Sequence, residues 1–411
     1  MKNIVRRTRK AGVAALLAAA VCGSQQAKTS YRFDFGHKAE AQNFFETPSE
    51  IKYEKGFVTS DKPFFLSVPA PEGNYQVTVR LGDQHGTSTT TVKAELRRLM
   101  VEHLQTPAGK QETRTFIVNV RRPQIGDTGE VVKFKEREKT SEAKAWDDRL
   151  TLQFSDKEPK LAALTIEKVD NIPTIYIAGD STSTDQALEP YNSWGQMITA
   201  FFKPEIAVAN NGESGETARS FVSEKRFAKV MSAIKPGDYL FIQFGHNDQK
   251  EKGEGVGAFT TYKASLKSFV AGAREHGATP VLITSTNRRT FDADGKITNS
   301  LGDYPTAVRQ LAEEEKAPLI DLNAMSKTLY EAFGPEASGK LFAPGDGTHH
   351  TDYGSYELAK CVALGIKEAK LPIAKYLINE VNSFDPAHPD PFDKFDVPPD
   401  PAGKAVKPYG S

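Results

Sequence analysis

Cysteine is nearly absent from this chain of 411 residues, which carries only Cys22 and Cys361. A disulfide framework is therefore excluded as the source of its stability. Long hydrophobic runs are missing too: no stretch reaches the roughly 18 apolar residues that a membrane-spanning helix requires. Neither sign of charge dominates, with 53 basic and 53 acidic residues. Without a basic excess, nothing favours nucleic acid or an anionic membrane surface as a partner. What is present is the composition of a globular protein, 38% hydrophobic and 26% charged, at a length that suits two domains. No internal repeat is visible.

The first residues stand apart. Lys2, Arg6, Arg7, Arg9 and Lys10 precede an alanine-rich apolar stretch from Ala11 to about Cys22, and small and polar residues follow to Ala27. This layout predicts a secretory signal over residues 1–27, and with it a secreted or periplasmic protein. Arg6-Arg7 hints at twin-arginine export, and Cys22 offers an alternative lipid anchor, although Val21 before it is bulky for such a site. Five basic and no acidic residues lie in this segment, so the remainder carries 48 basic against 53 acidic residues, about −5. Cleavage would leave Cys361 alone, and stability would rest on core size.

Two patterns of hydrophobicity divide the rest. From about Tyr31 to Val169, apolar residues alternate with polar ones: Tyr75, Val77, Val79 and Leu81; Phe116, Val118 and Val120; Leu150, Leu152 and Phe154. A period of two means strands with one buried face. Breaks at Pro71-Glu72-Gly73, Gly82-Asp83 and Gly126-Asp127 predict an all-β sandwich or jelly roll over 28–170. The charged run Lys135–Lys144 reads as a solvated loop. After about Pro173 come near-continuous apolar runs: Thr174–Ala178, Ile206–Ala209, Tyr239–Phe244, Pro280–Thr284 and Pro318–Leu322. Strands buried on both faces look like this. Helical spacings lie between them, as at Tyr262, Leu266, Phe269 and Val270, or Ala307, Val308 and Leu311. This alternation predicts a parallel sheet with helices on both sides over 171–383. The proline- and aspartate-rich segment 384–411 reads as an extended surface arm.

Ligands bind at the carboxyl ends of such strands, so the residues just after each run matter most. Gly179-Asp180-Ser181-Thr182 follows the first. Ser181 there is a nucleophile facing the cleft or a cap of the next helix. Asn210 to Glu216 follows the second; a glycine in it offers an open backbone N–H to an oxyanion, or simply makes a turn. Gly245-His246-Asn247-Asp248 follows the third. Asn247 can aim an amide at the same oxyanion, while His246 and Asp248 read as orienting or loop-fixing groups. Near the end comes Asp346-Gly347-Thr348-His349-His350. An acid three residues before a histidine can hold the imidazole by Nδ1–H and leave Nε2 for a serine proton. The alternatives are a plain surface loop, or a metal site using the paired histidines, although adjacent histidines usually point apart.

Together, Gly179-Asp180-Ser181, Gly215, Gly245 to Asp248 and Asp346-x-x-His349 resemble the four blocks of the SGNH/GDSL hydrolases. The runs Ile177 to Thr182, Trp194-Gly195-Gln196, Phe244 to Asp248 and Asp346 to His350 resemble, more narrowly, rhamnogalacturonan acetylesterases. The likeness covers roughly residues 174–370. It implies a three-layer αβα, flavodoxin-like fold with no metal and no organic cofactor. It implies Ser181 as nucleophile, His349 as general base and then acid, and Asp346 orienting it. It also implies an oxyanion hole of the Ser181 and Gly215 N–H groups and the Asn247 amide. The implied reaction removes acetyl groups from a pectic polysaccharide or oligosaccharide. Another acetylated glycan such as xylan, a lipid ester, or a non-catalytic carbohydrate-binding role are the alternatives; no large apolar lid favours lipid. Arg288 and Arg289, after the fourth strand, would pair with a galacturonate carboxylate or else bond backbone and acidic loops. Glu216 departs from the pattern, since members often carry arginine there, and an acid would alter how an acidic sugar sits. The β domain resembles galactose-binding-like sandwiches, which implies a carbohydrate-binding or structural role; Tyr31, Phe33 and Trp146 are aromatics that either stack on sugar or pack in the core.

Overall fold

In the segment Gly73–Asp83, Tyr75, Val77, Val79 and Leu81 are all buried while their neighbours are partly exposed. Two antiparallel sheets form, but the one-faced reading of Leu150, Leu152 and Phe154 does not hold: Thr151, Gln153 and Ser155 between and after them are buried too, so that strand is covered on both faces. A six-stranded sheet runs Lys52–Glu54, Phe57–Thr59, Leu161–Val169, Gly73–Asp83, Lys110–Val120, with Ser30–Asp34 also pairing with Leu161–Val169. A four-stranded sheet runs Phe64–Pro69, Arg149–Glu158, Ser88–Ala94, Arg98–Thr106. Their inner faces share one core, in which Phe64 stacks on Phe154 at 5.1 Å. Tyr31 and Phe33 belong to that core, and Trp146 is buried beneath Arg121. These three aromatics are packing residues and present no platform for a sugar. The computed structural model describes residues 30–35, 41–400 and 407–408. The expected signal segment, its cleavage site and Cys22 lie outside the described residues.

From Thr174 the architecture changes to five parallel strands in the order Ala207–Asn210, Thr174–Gly179, Tyr239–Gln243, Thr279–Ile283, Leu319–Ile320. The second strand in sequence lies at one edge and the first beside it, the flavodoxin-like order. Residues alternate between two buried faces. Tyr239 and Phe241 join one core with Trp194 and Leu358, and Leu240 and Ile242 join the other with Phe269 and Leu311. Helices Trp194–Met197, Leu322–Ala337 and Asp352–Glu368 cover the first face; Ala218–Ser223, Arg226–Met231, Lys263–Glu275 and Tyr304–Glu315 cover the second. This is the three-layer αβα sandwich. Its topological switch lies between Thr174–Gly179 and Tyr239–Gln243, which places the residues after Gly179 at the ligand-binding edge.

The two domains are tightly joined. The turn between Ser88–Ala94 and Arg98–Thr106 plugs into the α/β layer, and the side chain of Leu99 belongs to the α/β core. Gln196 Nε2 donates to the Leu96 carbonyl and Thr199 Oγ1 to that of Leu99, both at 2.7 Å. Arg98 Nε meets Asp185 Oδ2 at 2.8 Å, with both side chains 1% exposed. The C-terminal arm crosses the same seam. Phe395 packs on Tyr353 and Tyr356, and Asp400 pairs with Lys93 and Arg97 of the sandwich.

Removing Arg98 would leave the Asp185 carboxylate buried beside only Asn210 Nδ2 at 2.8 Å and Arg121 at 3.7 Å. Arg98→Ala is expected to cost about 3–5 kcal/mol in a urea titration. Lys225→Ala, which breaks an exposed pair with Glu130, should cost under about 1 kcal/mol. Equal losses would mean that the buried pair does not anchor the domains.

Candidate active site

The chain turns sharply after Thr174–Gly179. The Asp180 carbonyl accepts from Ser183 N at 3.1 Å and Thr184 N at 3.0 Å. Its Oδ1 accepts Thr182 N at 3.0 Å and Thr182 Oγ1 at 2.8 Å. Only glycine fits before it, because a Cβ on Gly179 would stand 2.2 Å from Ser183 Oγ. The turn leaves Ser181 at the sheet edge with no helix following it directly. The next helix starts at Trp194 and is capped by Ser193, so helix capping is not the role of Ser181.

The segment Asp346–His350 closes over that serine. Asp346 Oδ1 accepts the backbone N–H of Thr348 at 2.7 Å and of His349 at 3.1 Å. Asp346 Oδ2 lies 2.9 Å from His349 Nδ1, and His349 Nε2 lies 2.8 Å from Ser181 Oγ. Burial alone would raise the Asp346 carboxyl, but the His349 hydrogen bond and charge and the two N–H groups hold it well below the usual carboxylate range. An ionised Asp346 fixes the proton on Nδ1, which leaves the Nε2 lone pair for the serine hydroxyl. The Tyr191 ring meets the imidazole edge-on at 5.9 Å. His350 points the other way, with Nε2 2.7 Å from the Tyr330 hydroxyl, and burial pushes its imidazole down to about 3. No group of three or more metal-ligating side chains occurs among the described residues.

The three expected donors lie on the loops that follow Thr174–Gly179, Ala207–Asn210 and Tyr239–Gln243. Gln186 Nε2 bonds the Ser181 carbonyl at 2.8 Å and Ser214 Oγ at 3.3 Å, tying the nucleophile turn to the loop that carries Gly215. Gly215 has φ of 82°, which glycine adopts without strain. Neither the Ser181 nor the Gly215 N–H is spent on an acceptor among the described residues. Asn247 Nδ2 gives one proton to the Glu216 carbonyl at 3.0 Å and keeps the other. All three groups thus keep an N–H without an acceptor among the described residues. Alanine at Asn247 should lower turnover about 10²-fold or more on a chromogenic acetate. A loss under about threefold would remove this residue from the hole.

Asp248 Oδ1 accepts Ala218 N at 2.8 Å, and burial pushes its carboxyl up to about 8 against that hydrogen bond. It fixes a loop. His246 is buried, with Nδ1 3.6 Å from Asp180 Oδ2, beyond hydrogen-bond length. Arg288 is half-buried beside the Asp346–His350 segment, with Nε 3.3 Å from Thr348 Oγ1, its terminal nitrogens 2.6 and 2.7 Å from the Gln249 side-chain oxygen and 3.3–3.4 Å from the Ser300 and His246 carbonyls. Arg289 bonds the Pro335 carbonyl at 2.6 Å and Ser338 Oγ at 3.2 Å, and so serves that turn. Glu216 does not face the cleft: its side chain is 0% exposed and pairs with Lys135 and Arg226.

The run Lys135–Lys144 overturns its reading as a solvated loop. It forms short 3-10 turns at Glu136–Lys139 and Ala143–Ala145; Glu138 in the first and Glu142 just before the second are buried. Its charges meet opposite charges some 80 residues away on the α/β domain, such as Arg226 on Glu138 and Arg137 on Glu213. Sequence reasoning also passed over Gln186, Tyr191 and Lys407, whose Nζ lies 3.8 Å from Asp346 Oδ2. Only the mixed charge of 135–144 offered a signal, since no motif carries the others.

Comparison with known proteins agrees with this geometry. Residues 177–355 match the model of the GDSL-like Lipase/Acylhydrolase family. The rhamnogalacturonan acetylesterase RhgT of Bacillus subtilis is 42% identical over 220 residues, half of this chain and 94% of that protein. The probable rhamnogalacturonan acetylesterase YesY of the same organism is 40% identical over 218 residues, half of this chain and 98% of that protein. The uncharacterised esterase YxiM, also from Bacillus subtilis, is 28% identical over 364 residues, 83% of this chain and 90% of that protein. A serine held by a histidine–aspartate pair at the switch point of a flavodoxin-like sheet, in a chain this close to those esterases, makes the protein a carboxylic ester hydrolase of the GDSL-like lipase/acylhydrolase family.

Proposed function

We propose that this protein removes acetyl groups from a pectic polysaccharide of the rhamnogalacturonan type, through an acyl-enzyme on Ser181. The observation that carries the chemistry is the unbroken line from Asp346 Oδ2 to His349 Nδ1, and from His349 Nε2 to Ser181 Oγ. The substrate rests on the similarity to RhgT and YesY. Ser181 Oγ attacks the acetyl carbonyl carbon as its proton passes to His349 Nε2. The carbonyl oxygen takes up negative charge against the Ser181 and Gly215 N–H groups and the Asn247 amide. The bond to the sugar oxygen breaks, and that oxygen takes the proton back from His349. Water then loses a proton to His349 and attacks the acetyl-serine; the acetyl–Oγ bond breaks, Ser181 Oγ takes the proton back from His349, and acetate leaves. Arg288, beside Thr348, is the cation we place against a uronate carboxylate, which would take over the bonds its guanidinium now makes to the Gln249 side-chain oxygen at 2.6 and 2.7 Å. A polymer of this size is met outside the cytoplasm, which accords with the export expected from the N-terminal segment.

The test is acetate release from acetylated rhamnogalacturonan, acetylated xylan and a simple aryl acetate. Preference for the pectic polymer, with a raised KM for it in Arg288→Ala, supports the proposal. Turnover of xylan in preference, or of the aryl acetate alone, would discard the pectic substrate and keep the esterase.

A further inference from the structure

We infer that the β-sandwich domain is part of the catalytic apparatus: Lys135 and Arg137, from that domain, act as positioning residues that aim the oxyanion-hole N–H of Gly215. This rests on the site reading above and extends it to a second domain.

The geometry centres on one peptide unit. The Ser214 carbonyl and the Gly215 N–H belong to the same planar group, and in a trans peptide they point in opposite directions. Lys135 Nζ lies 2.8 Å from the Ser214 oxygen, and Arg137 Nη2 bonds the same oxygen. Two cations on the carbonyl thus fix where the opposite N–H points. They also draw electron density through the amide, which strengthens the N–H as a donor. The flanking side chains lock the arrangement. Arg137 Nε meets Glu213 Oε1 at 2.6 Å, and Lys135 pairs with Glu216. The Glu216 carbonyl in turn holds the Asn247 amide. Two of the three oxyanion donors therefore depend on a loop gripped from outside the hydrolase domain.

The grip is itself braced. Glu138 Oε2 accepts Lys135 N at 2.8 Å, and Arg226 Nη1 meets Glu138 Oε1 at 2.9 Å with both side chains buried. Glu213 and Glu216 are buried carboxylates whose compensation comes from Lys135, Arg137 and Arg226. Burial pushes both carboxyls up, and the nearby cations oppose it. Taking the sandwich away would leave these acids with one cation between them, so the loop would not hold its shape.

The experiment uses the full chain with an aryl acetate, which needs no polymer groove. Arg137→Ala and Lys135→Gln are compared with Lys225→Ala, a partly exposed residue that pairs with Glu130 at the same domain boundary. Lys135 is partly exposed, so its variant should fold even where Arg137→Ala does not. Melting temperature and circular dichroism establish that each is folded. Expected is a fall in kcat of about tenfold or more with KM held within about twofold, as for a donor acting in the transition state. Added to Asn247→Ala, either change should cost less than it does alone, because both act on one oxyanion. A folded Arg137 or Lys135 variant with kcat within about twofold of wild type overturns the inference, as does a loss fully additive with Asn247→Ala. Ser181→Ala separates the two levels: if it loses less than about 10²-fold in turnover, the reading of the site has failed. If it is inactive while the Lys135 and Arg137 variants match wild type, only the positioning role has failed.

Discussion

Ser181→Ala is expected to lower turnover of an ester substrate by about 10⁶-fold while leaving binding and folding intact. The size follows from what is lost. Without Oγ no acyl-enzyme forms, and His349 Nε2 loses the hydroxyl it meets at 2.8 Å. Hydrolysis would then need direct attack by water, helped only by the oxyanion donors. Those donors survive the change, because the Ser181 N–H, the Gly215 N–H and Asn247 do not involve Oγ. A residual acceleration of about 10³–10⁴ over water is therefore expected to remain. Folding should be unaffected, since the turn at Ser181 is held by the Asp180 carbonyl and side chain and not by the serine hydroxyl. Steady-state kinetics with a melting curve check both points. A loss of less than about 10²-fold would mean that another group opens the ester.

Asp346→Asn should cost about 10⁴-fold in kcat. The asparagine oxygen still accepts from Thr348 and His349 N–H, at positions now 2.7 and 3.1 Å from Asp346 Oδ1, so the loop keeps its shape. Its amide then faces Nδ1 as a donor, which forces the imidazole proton onto Nε2. In that tautomer His349 presents a proton to Ser181 where a lone pair is required. The same replacement carries a pH signature. The native carboxyl titrates below its ordinary 3.8 in the folded protein, so the unfolded chain takes up its proton first as pH falls. The stability it contributes is complete above 3.8 and is lost as pH drops through the folded value. Wild type should therefore be more stable than Asp346→Asn at pH 7, and the gap should close under acid, as urea titrations at several pH values would show. Full activity in the variant would place the orienting group elsewhere.

The parts of this protein that are local in sequence were legible in it. Alternation at Tyr75, Val77, Val79 and Leu81 announces a strand buried on one face, and continuous runs such as Tyr239–Phe244 announce strands buried on two. The hydrogen-bonded line of Ser181, His349 and Asp346 is legible because each residue sits just after a strand or within four residues of its partner, as Asp346 does with His349. The union of the domains was not legible. Leu99 reads as an ordinary strand residue, yet it completes the core of the other domain. Lys135 to Lys144 has the composition of a solvated loop, and only the fold brings Glu213, Glu216 and Arg226 against it. Charge complementarity across about 80 residues has no period to detect. Glu216 shows the same limit: read alone it is an acid beside the oxyanion glycine, whereas in the structure it turns inward to two cations.

The most direct test of the central claim is to map the covalent intermediate. The full chain is mixed with an aryl acetate, quenched in acid within the first turnover, digested and examined by mass spectrometry. The account predicts an acetyl group on the peptide carrying Ser181, with none in Ser181→Ala. An acetyl group on another residue, or undiminished turnover in Ser181→Ala with no labelled peptide, would contradict it.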